Sequence, residues 1–286
     1  MLSSGFDHTL AISSDLEATA GTYRRLGFTL TPLGRHVGWG TANYCVMFPE
    51  DYLELLGIVD PSQPLNGFDQ KLEGRGPGLL GLAFATHDAQ RVFEGLGQGG
   101  LADRQAELSR LLEHPDGTRD VSFRLAYGTT DATPGLSCFW CQHLSRDLIR
   151  EADWLEHPNG AYGIEGVTLL HPDPASLEVP YRRLLATLNM PDNEMLAGQG
   201  RLDVPVGDGC WLRFLSPDRA ARRYRGLDPK WLDREGPLVT TILVSDLSET
   251  ERYLSAQGIA IIPEQGLRLV VGPDDADGTV IEFAMS

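Results

Sequence analysis

Two residues able to do chemistry sit in otherwise apolar surroundings. His8 lies in Phe6-Asp7-His8-Thr9-Leu10 and Glu54 in Tyr52-Leu53-Glu54-Leu55, both runs that read as β-strands. An imidazole on such a strand can ligate a metal or carry a proton, and it reads equally as a hydrogen-bonded core histidine. Glu54 is harder to explain as filler, because a carboxylate on an inward strand face is costly to bury without a partner. His143 ends the strand-like run CFWCQH, after Gln142, and His36 opens HVGWGTANY. His157 falls in a His-Pro-Asn-Gly turn and reads as structural. His87 and His171 precede aspartates and read as solvated, as does His114 in a polar loop. Cys138 and Cys141 form a C-x-x-C pair, but on a strand, where residues three apart face opposite sides, so they read as buried filler rather than a redox or zinc site. Trp39, Trp140 and Tyr44 read as ordinary core that could also line an apolar cup.

The elements that must position these residues come from a repeat. Four segments carry an apolar strand, an Asp and an amphipathic stretch: DHTLAISSD ending at Asp15, LLGLAFATHD at Asp88, EGVTLLHPD at Asp173 and VTTILVSD at Asp246, at intervals of 73, 85 and 73 residues. Asp caps helices well, because its carboxylate accepts the orphan N–H groups of the first turn. After Asp15, residues Leu16, Ala20, Tyr23 and Leu26 fall on one helical face before Gly27. Tyr-Arg-Arg-Leu begins eight residues after Asp15 and again eight after Asp173. Strand-like runs follow each helix, ending with 52–57, 138–143, 211–216 and 280–285. Each unit reads as βαβββ. The spacings from first to third and from second to fourth unit are both 158 residues, so the larger repeat is a pair. The expected organisation is an α+β chain with one domain over 1–141 (modules 6–57 and 78–141), a linker over 142–162, and a second domain over 163–286 (modules 163–216 and 237–286).

Composition narrows the function. The chain of 286 residues carries a net charge of −16, with 21 acidic and 12 basic groups over residues 1–160 and 19 and 12 over the rest. An evenly acidic surface repels phosphate backbones and anionic headgroups, which argues against nucleic acid and membrane partners and for a small molecule. No window approaches the ~18 apolar residues of a membrane span, and Met1 to Ser14 lacks the pattern of an export signal. A cytoplasmic location with reduced cysteines is expected. The glycine-rich stretches 74–78 and 97–100 lack the context of a phosphate-binding loop.

A βαβββ unit that opens on a His-bearing strand, passes through Asp15-Leu16 into a helix ending in Leu26-Gly27-Phe28, and closes on a strand with a central Glu resembles the vicinal oxygen chelate superfamily. HVGWGTANY (36–44) and HPNGAYGI (157–164) further resemble its glyoxalase-like domain family. The resemblance implies four βαβββ modules paired into two half-open barrels, each with a cup for a divalent metal ligated from first and last strands. It also leaves room for a homodimer. The first-strand position is occupied by His8, Gly81, Gly166 and Val239; the last-strand position by Glu54, by Cys141-Gln142-His143, by Arg213 and by Glu282.

What the resemblance implies is a site in the first pair: His8, Glu54 and His143 as ligands of Zn, Ni, Mn or Fe, with Gln142 or His36 as alternatives for the third place, and Glu54 as the catalytic base. The expected activity is that of a metal-dependent lyase or isomerase acting on a small oxygenated substrate through a metal-stabilised enediolate. Two alternatives stand beside it: a metal-free protein that sequesters a small molecule, and an iron-dependent ring-cleaving dioxygenase, for which Gly166 and Val239 replace the histidines that family keeps in its C-terminal pair.

Overall fold

A computed structural model describes residues 2–207, 209–262 and 267–286 and contains four βαβββ units. The first comprises β1 (Phe6–Ser13), α1 (Leu16–Arg25), β2 (Gly34–His36), β3 (Thr41–Met47) and β4 (Tyr52–Ile58). After α2 (Phe68–Arg75) come β5 (Gly78–Ala85), α3 (Ala89–Gln98), β6 (Ala102–His114), β7 (Gly117–Gly128) and β8 (Cys138–His143). The third unit is β9 (Ala161–Leu170), α4 (Glu178–Thr187), β10 (Leu196–Gly198), β11 (Arg201–Gly207) and β12 (Cys210–Leu215). Two short helices, α5 (Pro217–Arg223) and α6 (Pro229–Leu232), lead to β13 (Gly236–Val244), α7 (Leu247–Ala256), β14 (Ile261–Ile262), β15 (Arg268–Val271) and β16 (Val280–Ala284). Strand β8 runs to His143 and β9 starts at Ala161, so residues 144–160 connect them.

Three of the four aspartates cap helices as their chemistry predicts. Asp15 accepts from the Ala18 N–H at 3.1 Å, Asp88 from Arg91 at 3.0 Å, and Asp246 from Ser248 and Glu249 at 2.8 and 3.1 Å. Asp173 makes no such bond: Pro174 opens a turn of 3-10 helix that leads into α4.

The two pairs differ in closure. In the first, strands in the order β1-β4-β3-β2-β6-β7-β8-β5 form a closed barrel. Its seam joins β2 to β6 through Gly34↔Leu112, Arg35↔Leu111 and His36↔Arg110. The 13 and 12 residues of β6 and β7 give the hairpin the reach to do this. Their counterparts β14 and β15 have two and four residues, and the second sheet stays open in the order β10-β11-β12-β9-β13-β16-β15-β14. That sheet carries an apolar layer in which Ala220, Tyr224, Leu227, Trp231 and Leu232 from the α5–α6 segment pack on Leu170, Leu215, Val239 and Val280.

One hydrophobic cluster runs through both halves, from Phe6, Leu16 and Tyr23 to Tyr181, Phe214 and Phe283. Phe28 stacks on Phe283 with centroids 6.1 Å apart. The connection is tied down by His157, which accepts the Thr29 N–H at 3.0 Å and donates to the Met47 carbonyl at 2.9 Å. No helix among the described residues is long and apolar enough to cross a membrane.

Asp51, buried in the turn between β3 and β4, accepts the Ile164 N–H of β9 at 3.2 Å. Burial pushes its carboxyl up to about 7, against the opposing pull of that N–H and of Arg150. The unfolded carboxyl ionises near ~3.9. Between these pH values the folded chain holds a proton that the unfolded chain has lost, so this contribution to stability declines as pH rises towards about 7. Asp51→Asn should remove up to about 1.4 kcal/mol of pH dependence per pH unit across that window. Urea unfolding of both proteins at intervals from mildly acidic to neutral pH checks this; parallel curves would refute it.

Candidate active site

The first barrel encloses a cavity of about 960 Å³ lined by His8, His36, Tyr52, Glu54, Arg110 and Phe139 among others. His8 and Glu54 reach it from adjacent parallel strands, where Leu10 pairs with Glu54 and His8 with Tyr52. The same face continues with Leu10, Ile12 and Leu56, which pack with Leu80 and, more loosely, with Phe68 and Leu72 of α2.

Adjacent residues on a regular strand point to opposite faces, but a register shift between Phe6 and His8 in the β1–β5 pairing lets Asp7 turn towards its neighbour. The His8 Nδ1–H donates to Asp7 Oδ1 at 2.6 Å, and the His143 Nε2–H reaches Oδ2 of the same carboxylate at 2.9 Å. Burial alone would raise the Asp7 carboxyl, yet the two imidazoles hold it well below the usual carboxylate range. Held this way, His8 presents Nε2 to the cavity side, 3.4 Å from Glu54 Oε2, and that nitrogen is buried without a hydrogen-bond partner. The Tyr52 ring stacks on His8 at 4.6 Å and limits its tilt.

Glu54 is buried and fixed by the Asn43 side-chain amide, which donates to Oε1. His36 Nε2 lies 3.7 Å from the same oxygen, while its Nδ1 pairs with Thr41 Oγ1 at 2.8 Å. Burial depresses the His36 imidazolium, with Glu54 opposing and Arg110 reinforcing the effect, so the ring is biased to the neutral form that ligates metals. Glu54 therefore stands between two imidazole nitrogens, one near each of its oxygens.

The remaining sequence candidates are distributed differently. His143 is not among the cavity-lining residues; it lies behind His8 on Asp7, edge-on to Phe123 and Tyr52 at 4.9 and 6.0 Å. Gln142 accepts the Ala89 N–H at 3.1 Å, at the start of α3. Cys138 and Cys141, three residues apart, both line the cavity, and burial pushes both thiols up. Asp7, His8 and Cys141 bring ligand atoms within 4.8 Å of one another, a grouping that could hold an ion. Trp39 lines the cavity, whereas Trp140 sits in the apolar core and Tyr44 bonds Glu17 at 2.7 Å. Asp7, Asn43 and Arg110 went unassigned in the sequence; for Asp7 the signal was a charged residue next to His8 in an apolar strand.

The other ligand positions of the repeat are closed by packing. A side chain at Gly81 would collide with the Ser137 carbonyl, and one at Gly166 with the Trp211 indole, on which Arg213 stacks at 4.0 Å. Arg213 is also bound to Asp203 at 3.0 Å. Glu282 is fully buried and neutralised by Arg223 and Arg268 at 2.8 and 2.7 Å.

Solved structures of the same fold cover almost the whole chain. A hypothetical protein from Staphylococcus aureus superimposes with a TM-score of 0.68 at 13% identity, over 98% of this chain and 99% of its own. A mutant of 4-hydroxymandelate synthase from Streptomyces coelicolor gives 0.65 at 14% identity, over 99% and 92%. A fusion of a xylose isomerase-like TIM barrel with 4-hydroxyphenylpyruvate dioxygenase gives 0.57 at 12% identity, over 98% of this chain and 48% of that one. At the level of sequence, no curated protein matches. The glyoxalase-like domain family matches residues 6–185, well over half of the chain, and with the βαβββ pairs and the cavity already described, the protein belongs to that family.

Proposed function

We propose that the N-terminal barrel holds a divalent metal ion through His8, Glu54 and His36 and acts as a lyase or isomerase on a small oxygenated substrate. The observation that carries this reading is the His8 Nε2 atom, buried and unpartnered, aimed at a carboxylate that a second imidazole also approaches. An orphaned nitrogen in such a place costs free energy unless something occupies it, and three N/O donors leaving open positions suit Zn, Ni, Mn or Fe. His36 takes the third place here because His143 is committed to Asp7. The Asp7–His8–Cys141 grouping fits less well, since its carboxylate already serves two imidazoles and its thiol is held protonated by burial.

When bound, the ion would supply Lewis acidity towards a carbonyl and its neighbouring oxygen. Asp7 fixes the tautomer of His8 and leaves Nε2 with its lone pair directed inwards. Glu54, anchored through Oε1 by Asn43, has Oε2 placed to take a proton from the carbon beside a carbonyl. Phe123, Leu125, Tyr127 and Phe139 line the same cavity and keep bulk water from that carboxylate. Two imidazoles and one carboxylate are also the donors of non-haem iron oxygenases, so an iron-dependent oxygenase is the second reading, which the dioxygenase-containing structural neighbour supports at the level of fold.

Elemental analysis of protein purified without added metal, followed by titration with Ni²⁺, Zn²⁺, Mn²⁺ and Fe²⁺, tests the assignment. His8→Ala, His36→Ala and Glu54→Gln should each lose the ion, and Glu282→Gln should keep it. Retention in the first three with loss in Glu282→Gln would move the site to the other half, and no binding by any protein would leave a metal-free binding protein. Oxygen uptake by the iron-loaded protein separates the second reading from the first. Asp7→Asn keeps every proposed donor but weakens the orientation of His8, and should lower metal affinity by about 10- to 100-fold. An unchanged dissociation constant in the same titration would show that Asp7 serves the fold alone.

A further inference from the structure

Arg110 is the largest charged side chain buried among the described residues, only 2% exposed, and it lines the cavity. Its Nη1 donates to Cys45 Sγ at 3.0 Å, and Phe123 lies under the guanidinium at 5.7 Å. Nε and Nη2 are buried with no hydrogen-bond partner. Neither contact supplies the negative charge that a buried guanidinium requires. Of the two carboxylates that line the cavity, Glu54 is already engaged by Asn43 and flanked by His8 and His36, and Asp103 is taken by Arg104. Arg104, also on the cavity wall, is paired with Asp103 at 2.9 Å, so Arg110 is the cavity arginine left without a carboxylate among the described residues.

The position is built rather than incidental. Arg110 on β6 is the direct cross-strand partner of His36 on β2, which puts the two side chains on one face at the barrel seam. Gly34 makes the approach possible: a Cβ there would stand 3.2 Å from Arg110 Cδ and 2.5 Å from Asn43 Oδ1. The two free nitrogens belong to the edge of the guanidinium fork that matches a carboxylate bidentately.

Building on the function proposed above, we infer that the substrate carries a carboxylate, which Arg110 receives through Nε and Nη2 while the neighbouring oxygens of the substrate face His8, His36 and Glu54. The ligand class is a small 2-oxo or 2-hydroxy acid with an apolar substituent, since Phe123, Leu125, Tyr127 and Phe139 form the rest of the wall. The charge of Arg110 makes this selection independent of the metal.

Calorimetric titration with phenylglyoxylate and with its uncharged methyl ester tests this on the full chain, as purified and after EDTA treatment. The acid should bind at least about tenfold more tightly than the ester in both states, the size expected for hydrogen bonds to a charged group. Arg110→Met should erase that preference while retaining the metal content of the wild type and melting at no lower temperature, because it removes a buried charge that no carboxylate contacts directly. Arg110→Lys should retain a reduced preference. Equal binding of acid and ester by the wild type, or an undiminished preference in Arg110→Met, would overturn the inference. Loss of metal binding with the preference intact in EDTA-treated protein would refute the metal reading alone.

Discussion

Asp7 is a buried carboxylate on which fold and site both depend. Placing such a group inside a barrel is costly unless it stays ionised and fully hydrogen-bonded, and His8 and His143 meet that condition from β1 and β8, strands that are not neighbours in the sheet. The arrangement stitches the wall of the barrel and fixes the ring of His8 at once. It also explains the bulge at the start of β1, without which Asp7 would face away from its own neighbour. Tyr52, between the two imidazoles, then completes a packed floor beneath the cavity.

The duplicated halves have spent the same architecture differently. Long strands in the second unit close the first barrel around a cavity, whereas short ones in the fourth leave the second sheet open, and the α5–α6 segment fills its face with Tyr224, Trp231 and Leu232. The buried carboxylates described in the second half are neutralised by arginines: Asp203 by Arg201 and Arg213, Glu282 by Arg223 and Arg268. In the first half, by contrast, His8 Nε2, Asn43 Oδ1 and two nitrogens of Arg110 are buried without hydrogen-bond partners in residues that line the cavity. A continuous apolar cluster joins the halves, so the filled one also braces the hollow one.

The fold was legible because its signals are local and repeated. An aspartate before an amphipathic run identified the starts of α1, α3 and α7, and the 158-residue offset exposed the pairing. His8 and Glu54 were legible because polar residues inside apolar strands demand a reason. The same logic applies to Arg110 in Leu108-Ser109-Arg110-Leu111-Leu112, but the polar–apolar alternation of β6 is broken at Arg104 and Leu111 as well, so one more arginine out of phase on a half-exposed hairpin does not stand out. Barrel closure depends on a pairing between β2 and β6, some 75 positions apart, which no window of sequence reports. The direction of His143 was equally hidden, since it follows from the bulge that brings Asp7 towards it.

That closure has a mechanical side. Strand β2 has three residues and meets β6 through three pairs and β3 through two, so the barrel is sealed through its shortest strand. His36 and Arg110 occupy opposite lips of this seal. Any molecule that engages both becomes a staple across the gap, and reciprocity then requires that whatever keeps the lips together also tightens its grip on the molecule. The short strand is thereby a latch whose strength is set by what the barrel contains.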